Sequence, residues 1–473
     1  VLAIDQGTSA TKAAVISDEG ALLALVEVPV HVDYGHDGLV EVDPQALWNS
    51  VVQAGQQALA LAGGSVTAVG LANQGETVLA WDPVTSAPLT RAIVWQDGRA
   101  ASVCAGLHEH ASQIADRSGL VLDPYFSAPK MTWIREHWTD QGVVTTTDSW
   151  LLHRLTGAFV TDVTTASRSL LMNIETLAWD EHLCRHFGID AAALPVIVDC
   201  DAHVGMTSAF GPSLPVVGVM VDQQAALLAQ GCVEPGQAKC TFGTGAFLLA
   251  NAGDSVIRSA RGLTTSVAWS TASQRAYCID GQVFTAAAAV NWLSGLGLLT
   301  TASELDSRAA PDTAGVQFTG GLAGLGAPWW RTDARAALTG LTLGTTSGHI
   351  IRAVVQAIAA QVADLCQAVA ADTGTSITHL RVDGGLSASV TLMQAQADLA
   401  QAEIHVYPHA HATAYGVAAM TDAAMRGLPV QPWPWSAQRV YTPNWSAGRA
   451  AQAIDLWRQA VRANLPASQE VTT

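Results

Sequence analysis

The feature that most narrows the choice of fold is a strand–turn–strand unit that occurs twice, about half a chain apart. The first unit reads VLAI, then Asp5-Gln6-Gly7-Thr8-Ser9, then a second strand from Thr11 to Ser17. Asp18-Glu19-Gly20 turns the chain again into ALLALVEVPV, so three strands follow one another as a meander. The second unit lies between Gln237 and Asn251, where AKCTF and AFLLAN flank Gly243-Thr244-Gly245. A tight turn between two strands points backbone N–H groups outward, and glycine lets an anion approach the main chain. In the first turn Thr8, Ser9 and Thr11 add hydroxyl donors and Lys12 a cation, while Asp5 offers a carboxylate suited to Mg²⁺ through water. Either turn alone reads equally well as a surface hairpin. The pair is the stronger signal, because it implies a duplicated architecture with a phosphate cradle in each half.

Other ways of holding a nucleotide are missing. The chain has no Gly-Lys dipeptide, hence no P-loop, and no GxGxxG run. A length of 473 residues exceeds one ordinary core and predicts two domains. Hydrophobic residues at 49% against 13% charged exclude disorder. A net charge of −17 with no basic stripe argues against nucleic acid. The apolar runs VVGVMVDQQAALLAQ and AIAAQVADLCQAVAA are broken by Asp222 and Asp364, so no membrane span is expected. VLAID opens directly as a strand, without the pattern of a signal peptide. The seven cysteines are scattered without a CxxC, which predicts reduced thiols in a cytoplasmic protein.

Between the two units, Pro44 to Leu61 reads as a helix with Gly63-Gly64 past its end. SVTAVGLAN and VVGVMVD read as short buried strands that end in polar residues. Beyond the second unit come a long helix from Ser347 to Thr373, the strand HLRVDGG and a helix from Ser387. Asp383-Gly384-Gly385 offers bare backbone against which a purine or ribose can lie. The domain break is expected near Gly231.

Taken together, AIDQGTSATK, GLVEVDP with Trp48, NQGET, AIVWQDGR, LDPYFSAPKMTWI, TDVTTASRSLLMNIETLAWD, VDQQAAL, FGTGAFLL, GLGAPWWRTDARAALTGLTLG and RVDGGLSAS resemble the FGGY carbohydrate kinases, in that family's order. Within the family the resemblance is greatest to the glycerol kinase branch. It implies an α/β fold of two actin-like (ribonuclease H-like) domains with a cleft between them. Residues 1–231 would carry the polyol site and the base, and residues 232–473 the ATP site. The implied reaction is ATP-dependent phosphorylation of a hydroxyl on a small polyol or sugar, with Mg²⁺. By resemblance the polyol pocket takes Glu76, Trp95, Tyr125, Asp222 and Gln223, with Asp222 as the base. Gly7, Thr8, Ser9, Lys12, Gly243 and Thr244 would meet phosphate, and Ala287, Asn291, Gly385 and Ser389 the adenosine. Asp5 would hold Mg²⁺ through water. A homodimer or homotetramer is implied, with neither a nucleic-acid nor a membrane partner.

Some positions depart from the branch. Ala287 stands for a glycine and Ser389 for an asparagine that pairs with adenine. Gly75 stands where glycerol kinases have an arginine, which predicts room for a four- or five-carbon substrate unless Arg99 reaches into the vacancy. The segment from Gly205 to Gly218 lacks the glycine- and base-rich insertion that binds an inhibitory sugar bisphosphate. Two alternatives remain open from sequence. One is a ketopentose kinase, although that branch reads Gln-Met-His where this chain has Asn73-Gln74-Gly75. The other is a non-catalytic sugar or nucleotide sensor. His409 and His411 are expected in a loop before a helix, and His108 and His110 on a solvated face.

Overall fold

A computed structural model describes residues 1–466. Two mixed sheets carry the molecule. In the first, β1 (Leu2–Gln6), β2 (Ala10–Ile16), β3 (Leu22–Pro29), β4 (Val69–Asn73), β5 (His203–Thr207) and β6 (Leu214–Val221) take the order β5-β6-β4-β1-β2-β3. β1, β2 and β3 form the antiparallel meander, and β4 and β6 add in parallel to β1. The second sheet repeats this plan with β7 (Ala238–Phe242), β8 (Ala246–Gly253), β9 (Thr264–Ser270), β10 (Arg275–Val283), β11 (His379–Asp383), β12 (Glu403–Val406) and β13 (Arg439–Tyr441), in the order β9-β10-β8-β7-β11-β12-β13. Here β7, β8 and β10 form the meander and β11 and β12 add in parallel. The duplication expected from the two turns is therefore a duplication of whole sheets.

Helices cover both faces, which is why β1 and β4 are buried along their full length. Helix α1 (Pro44–Ala62) packs on β2 and β3. Its limits follow from local chemistry: the Asp43 side chain accepts from the Gln45 N–H, Pro44 fills the first turn, and Gly63 ends it at φ 62°. Four more helices matter for the site or the core: α2 (Asp222–Ala229), α3 (Ala287–Gly295), α4 (Ser347–Thr373) and α5 (Val390–Ala400). Helix α4 is long and apolar enough to cross a membrane, yet 78% of its apolar window is buried within the protein. The helix expected from Ser387 begins later. Gly385–Ala388 form a 3-10 turn, and Ser389 caps α5 by accepting from the Leu392 N–H.

Helix α6 (Ala412–Arg426) belongs to the second half of the chain but packs on α2 and on β1, β4 and β6 of the first sheet. Small residues make the approach possible. A Cβ on Gly416 would lie 1.8 Å from the Ala225 carbonyl oxygen, and Cβ atoms on Gly70 and Gly218 would each lie 2.2 Å from Thr421 Oγ1. Thr421 Oγ1 is itself placed by hydrogen bonds to the carbonyls of Val217 and Val417. An alanine in place of a helical glycine ordinarily stabilises by about 0.5–1 kcal/mol. At Gly416 we expect the opposite sign, a loss of about 1–3 kcal/mol from overpacking, measured by denaturant unfolding of Gly416→Ala. Gly448→Ala, in a helix with nothing within 4 Å of the added carbon, is the control and should not destabilise.

Candidate active site

β1, β4 and β6 run parallel and end at one edge of the first sheet, so the residues after them converge in space. Thr8 and Ser9 follow β1, Gln74 to Glu76 follow β4, and Asp222 and Gln223 follow β6. These residues line a cavity of about 190 Å³. Its opposite wall comes from the second sheet through Thr241, Gly243, Thr244, Phe247, Asp280 and Gln282. Polyol-type and phosphate-type residues predicted from sequence thus meet in one cleft.

The apolar wall is a ring cluster. Trp95 meets Tyr125 and Phe247 edge-on at 5.6 and 5.7 Å between centroids. The Trp95 indole N–H donates to Thr8 Oγ1 at 2.9 Å, which ties this wall to the turn that follows β1. Asp222 opens α2, and its Oδ1 accepts from the Gln223 N–H at 2.7 Å. Burial together with the nearby carboxylates of Asp5 and Glu76 pushes the Asp222 carboxyl up to about 7, against the pull of Lys239. Gln223 accepts through Oε1 from the Lys239 ammonium, which also donates to Thr241 Oγ1 at 2.9 Å. Burial pushes the Lys239 pKa down. Asp5 lies buried on β1 with Lys12 Nζ at 3.6 Å, and burial pushes its carboxyl up.

Arg99 does not fill the vacancy at Gly75. Its guanidinium is held by Asp97 and Glu41 at 2.7–2.8 Å, and it takes no part in lining the cavity. The room beside Gly75 is also limited, since a Cβ there would come within 2.9 Å of Val221 Cγ2. The guanidinium that does line the cavity is Arg168, only 5% exposed. Its Nε donates to Glu76 Oε1 at 2.7 Å, and its Nη1 to Asp280 Oδ1 and Oδ2 at 2.9 and 2.8 Å. Burial opposes its charge, but Asp280 and Glu76 outweigh that and hold its pKa well above the usual arginine value. Glu76 adopts φ 61°, a left-handed conformation that costs a non-glycine residue energy and aims the carboxylate at Arg168.

The N-terminal domain of the FGGY family of carbohydrate kinases matches residues 1–229, and its C-terminal domain matches residues 238–425. The chain belongs to the FGGY family. Glycerol kinase of Alkalilimnicola ehrlichii is 41% identical over 98% of this chain and 97% of that one. Glycerol kinase of Thermus brockianus is 40% identical with the same coverage. Among solved structures, Plasmodium falciparum glycerol kinase with ADP superposes with a TM-score of 0.89 at 29% identity, covering 98% of both chains. A xylulose kinase from Lactobacillus acidophilus reaches 0.87 at 21% identity, which shows the shared fold alone. This FGGY protein is an ATP-dependent phosphotransferase with an alcohol acceptor.

On the side of the cleft formed by the second sheet, the turn at residues 243–245 is stapled to α3. The Ala286 and Ala287 N–H groups donate to the carbonyls of Thr244 and Gly243 at 2.8 and 3.0 Å. Gly245 has no room for a side chain, with Val283 O at 2.5 Å from a built Cβ, whereas Gly243 is open to 3.9 Å. Gly384, at φ 90°, lies against the Phe242 backbone, and Gly385 has nothing within 4 Å. Asn291 is exposed on α3, one turn beyond Ala287. The Ser389 hydroxyl donates to Asp306 Oδ1 at 2.6 Å while it caps α5, so both of its roles are taken up within the protein.

Arg168, Asp280, Gln282 and Phe247 line the cavity and Lys239 bonds to Gln223, and none of the five is among the site residues expected from sequence. A charged residue inside the apolar-flanked runs TTASRSLL and AYCIDGQV was the available signal, since a buried charge requires a partner. Arg168→Met leaves Glu76 and Asp280 buried without their cation. We expect a stability loss of about 3–5 kcal/mol in urea unfolding at neutral pH. Arg168→Lys should recover only part, because an ammonium cannot bond both carboxylates in the guanidinium's fork geometry. A loss under about 1 kcal/mol for the methionine variant would show the bridge to be dispensable.

Proposed function

We propose that this kinase phosphorylates a hydroxyl of a small neutral polyol, in the manner of the glycerol kinase branch, with Asp222 as general base. The observation that carries the reading is the place of Asp222: a carboxyl raised to about 7, in the same cavity as both phosphate turns. A base titrating near the working pH is matched to taking a hydroxyl proton. Glu76 and Gln223 supply acceptors for vicinal hydroxyls, and Trp95 and Tyr125 the apolar walls for the carbon chain. Gly7, Thr8, Ser9 and Lys12 on one turn, with Gly243 and Thr244 on the other, hold the phosphates. Ala287, Asn291, Gly385 and Ser389 flank the adenosine, for which open backbone at Gly385 provides a flat approach. On this reading residues 1–231 carry the base and most of the polyol site, and residues 232–473 carry the nucleotide.

The residues fit a dication. Burial raises the carboxyls of both Asp5 and Asp222, the Asp5 carboxylate raises Asp222 further, and Lys12 beside Asp5 and Lys239 beside Asp222 only partly offset this. Asp5 would hold Mg²⁺ through water. When bound, Mg²⁺·ATP supplies the phosphoryl group and neutralises its charge. A cytoplasmic setting accords with seven unpaired thiols, all but Cys104 buried.

Asp222→Asn keeps the shape and removes the base. We expect kcat to fall about 10²–10⁴-fold in a coupled ADP-release assay, while calorimetric affinities for polyol and nucleotide stay within about tenfold. Retention of most of kcat would remove Asp222 from the base role.

β5 and β6 are joined by a plain hairpin turn, SAFGPS, that contains no lysine or arginine. A bisphosphate needs cationic or N–H donors. We therefore expect no inhibition by fructose 1,6-bisphosphate at millimolar concentration in the same assay, and inhibition below that level would overturn the expectation.

A further inference from the structure

Gln282 lies on β10 directly opposite Phe247 of β8, with Asp280 opposite Leu249, and all four line the cleft cavity. Gln282 is 2% exposed. Its Nε2 donates to Asp280 Oδ1 at 2.8 Å, but its Oε1 is buried and has no hydrogen-bond partner among the described residues. The amide cannot be turned round at no cost, because an ionised carboxylate only accepts and so requires the NH₂ end. Asp280 is itself fixed. Its Oδ1 also accepts from Thr264 Oγ1 at 2.6 Å, its Oδ2 from Ser266 Oγ at 3.0 Å, and both from Arg168. The Oε1 of Gln282 is therefore an acceptor held in position by a chain of bonds, yet left open. Buried acceptors are nearly always satisfied, and one that faces a binding cavity is completed by what enters it. A matching donor lies on the same network, since Nη2 of Arg168 bonds to no described residue.

We propose that Gln282 Oε1, together with Arg168 Nη2, reads a hydroxyl of the acceptor substrate additional to those held by Glu76, Asp222 and Gln223. An alcohol is the group that donates to one and accepts from the other at the same atom. The substrate class is then a neutral polyol of four or five carbons. Sugar acids are disfavoured, because Arg168 is already balanced by Glu76 and Asp280, and Asp222 adds a further carboxylate to the same cavity. Gln282 is a specificity-determining residue, and Asp280 positions it. This inference rests on the polyol-kinase reading above.

The test compares kcat/KM for glycerol, erythritol and the pentitols at saturating Mg²⁺·ATP, in the wild type, in Gln282→Met and in Gln282→Ala. Methionine keeps the length and removes the acceptor. The wild type is expected to favour a tetritol or pentitol over glycerol. In both variants that selectivity ratio should fall at least about tenfold, carried by KM more than by kcat. A merely structural role would lower all substrates together and leave the ratio unmoved. A wild type that prefers glycerol overturns the inference whether or not the variants fold, as does a variant ratio within twofold of the wild type. Absence of turnover with every polyol, alongside turnover of another alcohol, would instead overturn the polyol reading on which it rests.

Discussion

The interaction on which the site depends is the buried guanidinium of Arg168 between Glu76 of the first half and Asp280 of the second. A lone charge at this depth would be prohibitive, and two carboxylates without the arginine worse. With it, each partner accounts for another's charge, and the network reaches Thr264, Ser266 and Gln282 without leaving the cleft floor. Such an arrangement gives little net stability over an apolar floor of equal volume. What it provides is position, because the side chains of Glu76, Asp280 and Gln282 are each held on this side by a partner with one allowed role.

The remainder of the cleft is built on the same contest between burial and charge. Burial pushes the carboxyls of Asp5, Glu76 and Asp222 up, and the charges of Asp5 and Glu76 push Asp222 further in the same direction. Lys239 is fully buried with its ammonium on Gln223 and Thr241, while Lys12 reaches Asp5 from a more exposed place. The protein's own cations do not balance the acids. A ligand that brings positive charge, or that takes up hydrogen bonds from the acids, relieves the imbalance. A surplus of acids in the cleft accords with the proposal that a metal-bound nucleotide completes the site.

Local chemistry was readable in the sequence. Gly63 and Gly374 end their helices in left-handed conformation, Asp43 and Thr346 cap them, and the turns around Gly7 and Gly243 sit between strands, as the residue types demand. The bridging network was not readable. Arg168 is 92 residues from Glu76 and 112 from Asp280, and no local pattern states which charges will meet. Register decides it: pairing of Phe247 with Gln282 turns Asp280 and Gln282 to the cleft, and a one-residue slip would point them away. The same limit explains Arg99. Its nearest acids, Asp97 and Glu41, close on it before it can reach Gly75.

The position of Asp222 depends on the half of the chain that does not contain it. Asp222 is the first residue of α2, and its carbonyl accepts from Thr413 Oγ1 of α6 at 3.3 Å. One turn further along, α2 presents the Ala225 carbonyl to Gly416 at a distance that leaves no space for a side chain. A helix in backbone contact cannot slide by a fraction of an ångström without either a clash or a void. The side chain at the start of α2 is therefore referenced to α6, and through Gly70, Gly218 and Thr421 to β4 and β6, whose ends carry Glu76 and Asp222. Glu76 and Asp222 are set against one rigid frame of glycine contacts. The two halves are consequently not mechanically independent, because the second half supplies the helix that holds Asp222 in register.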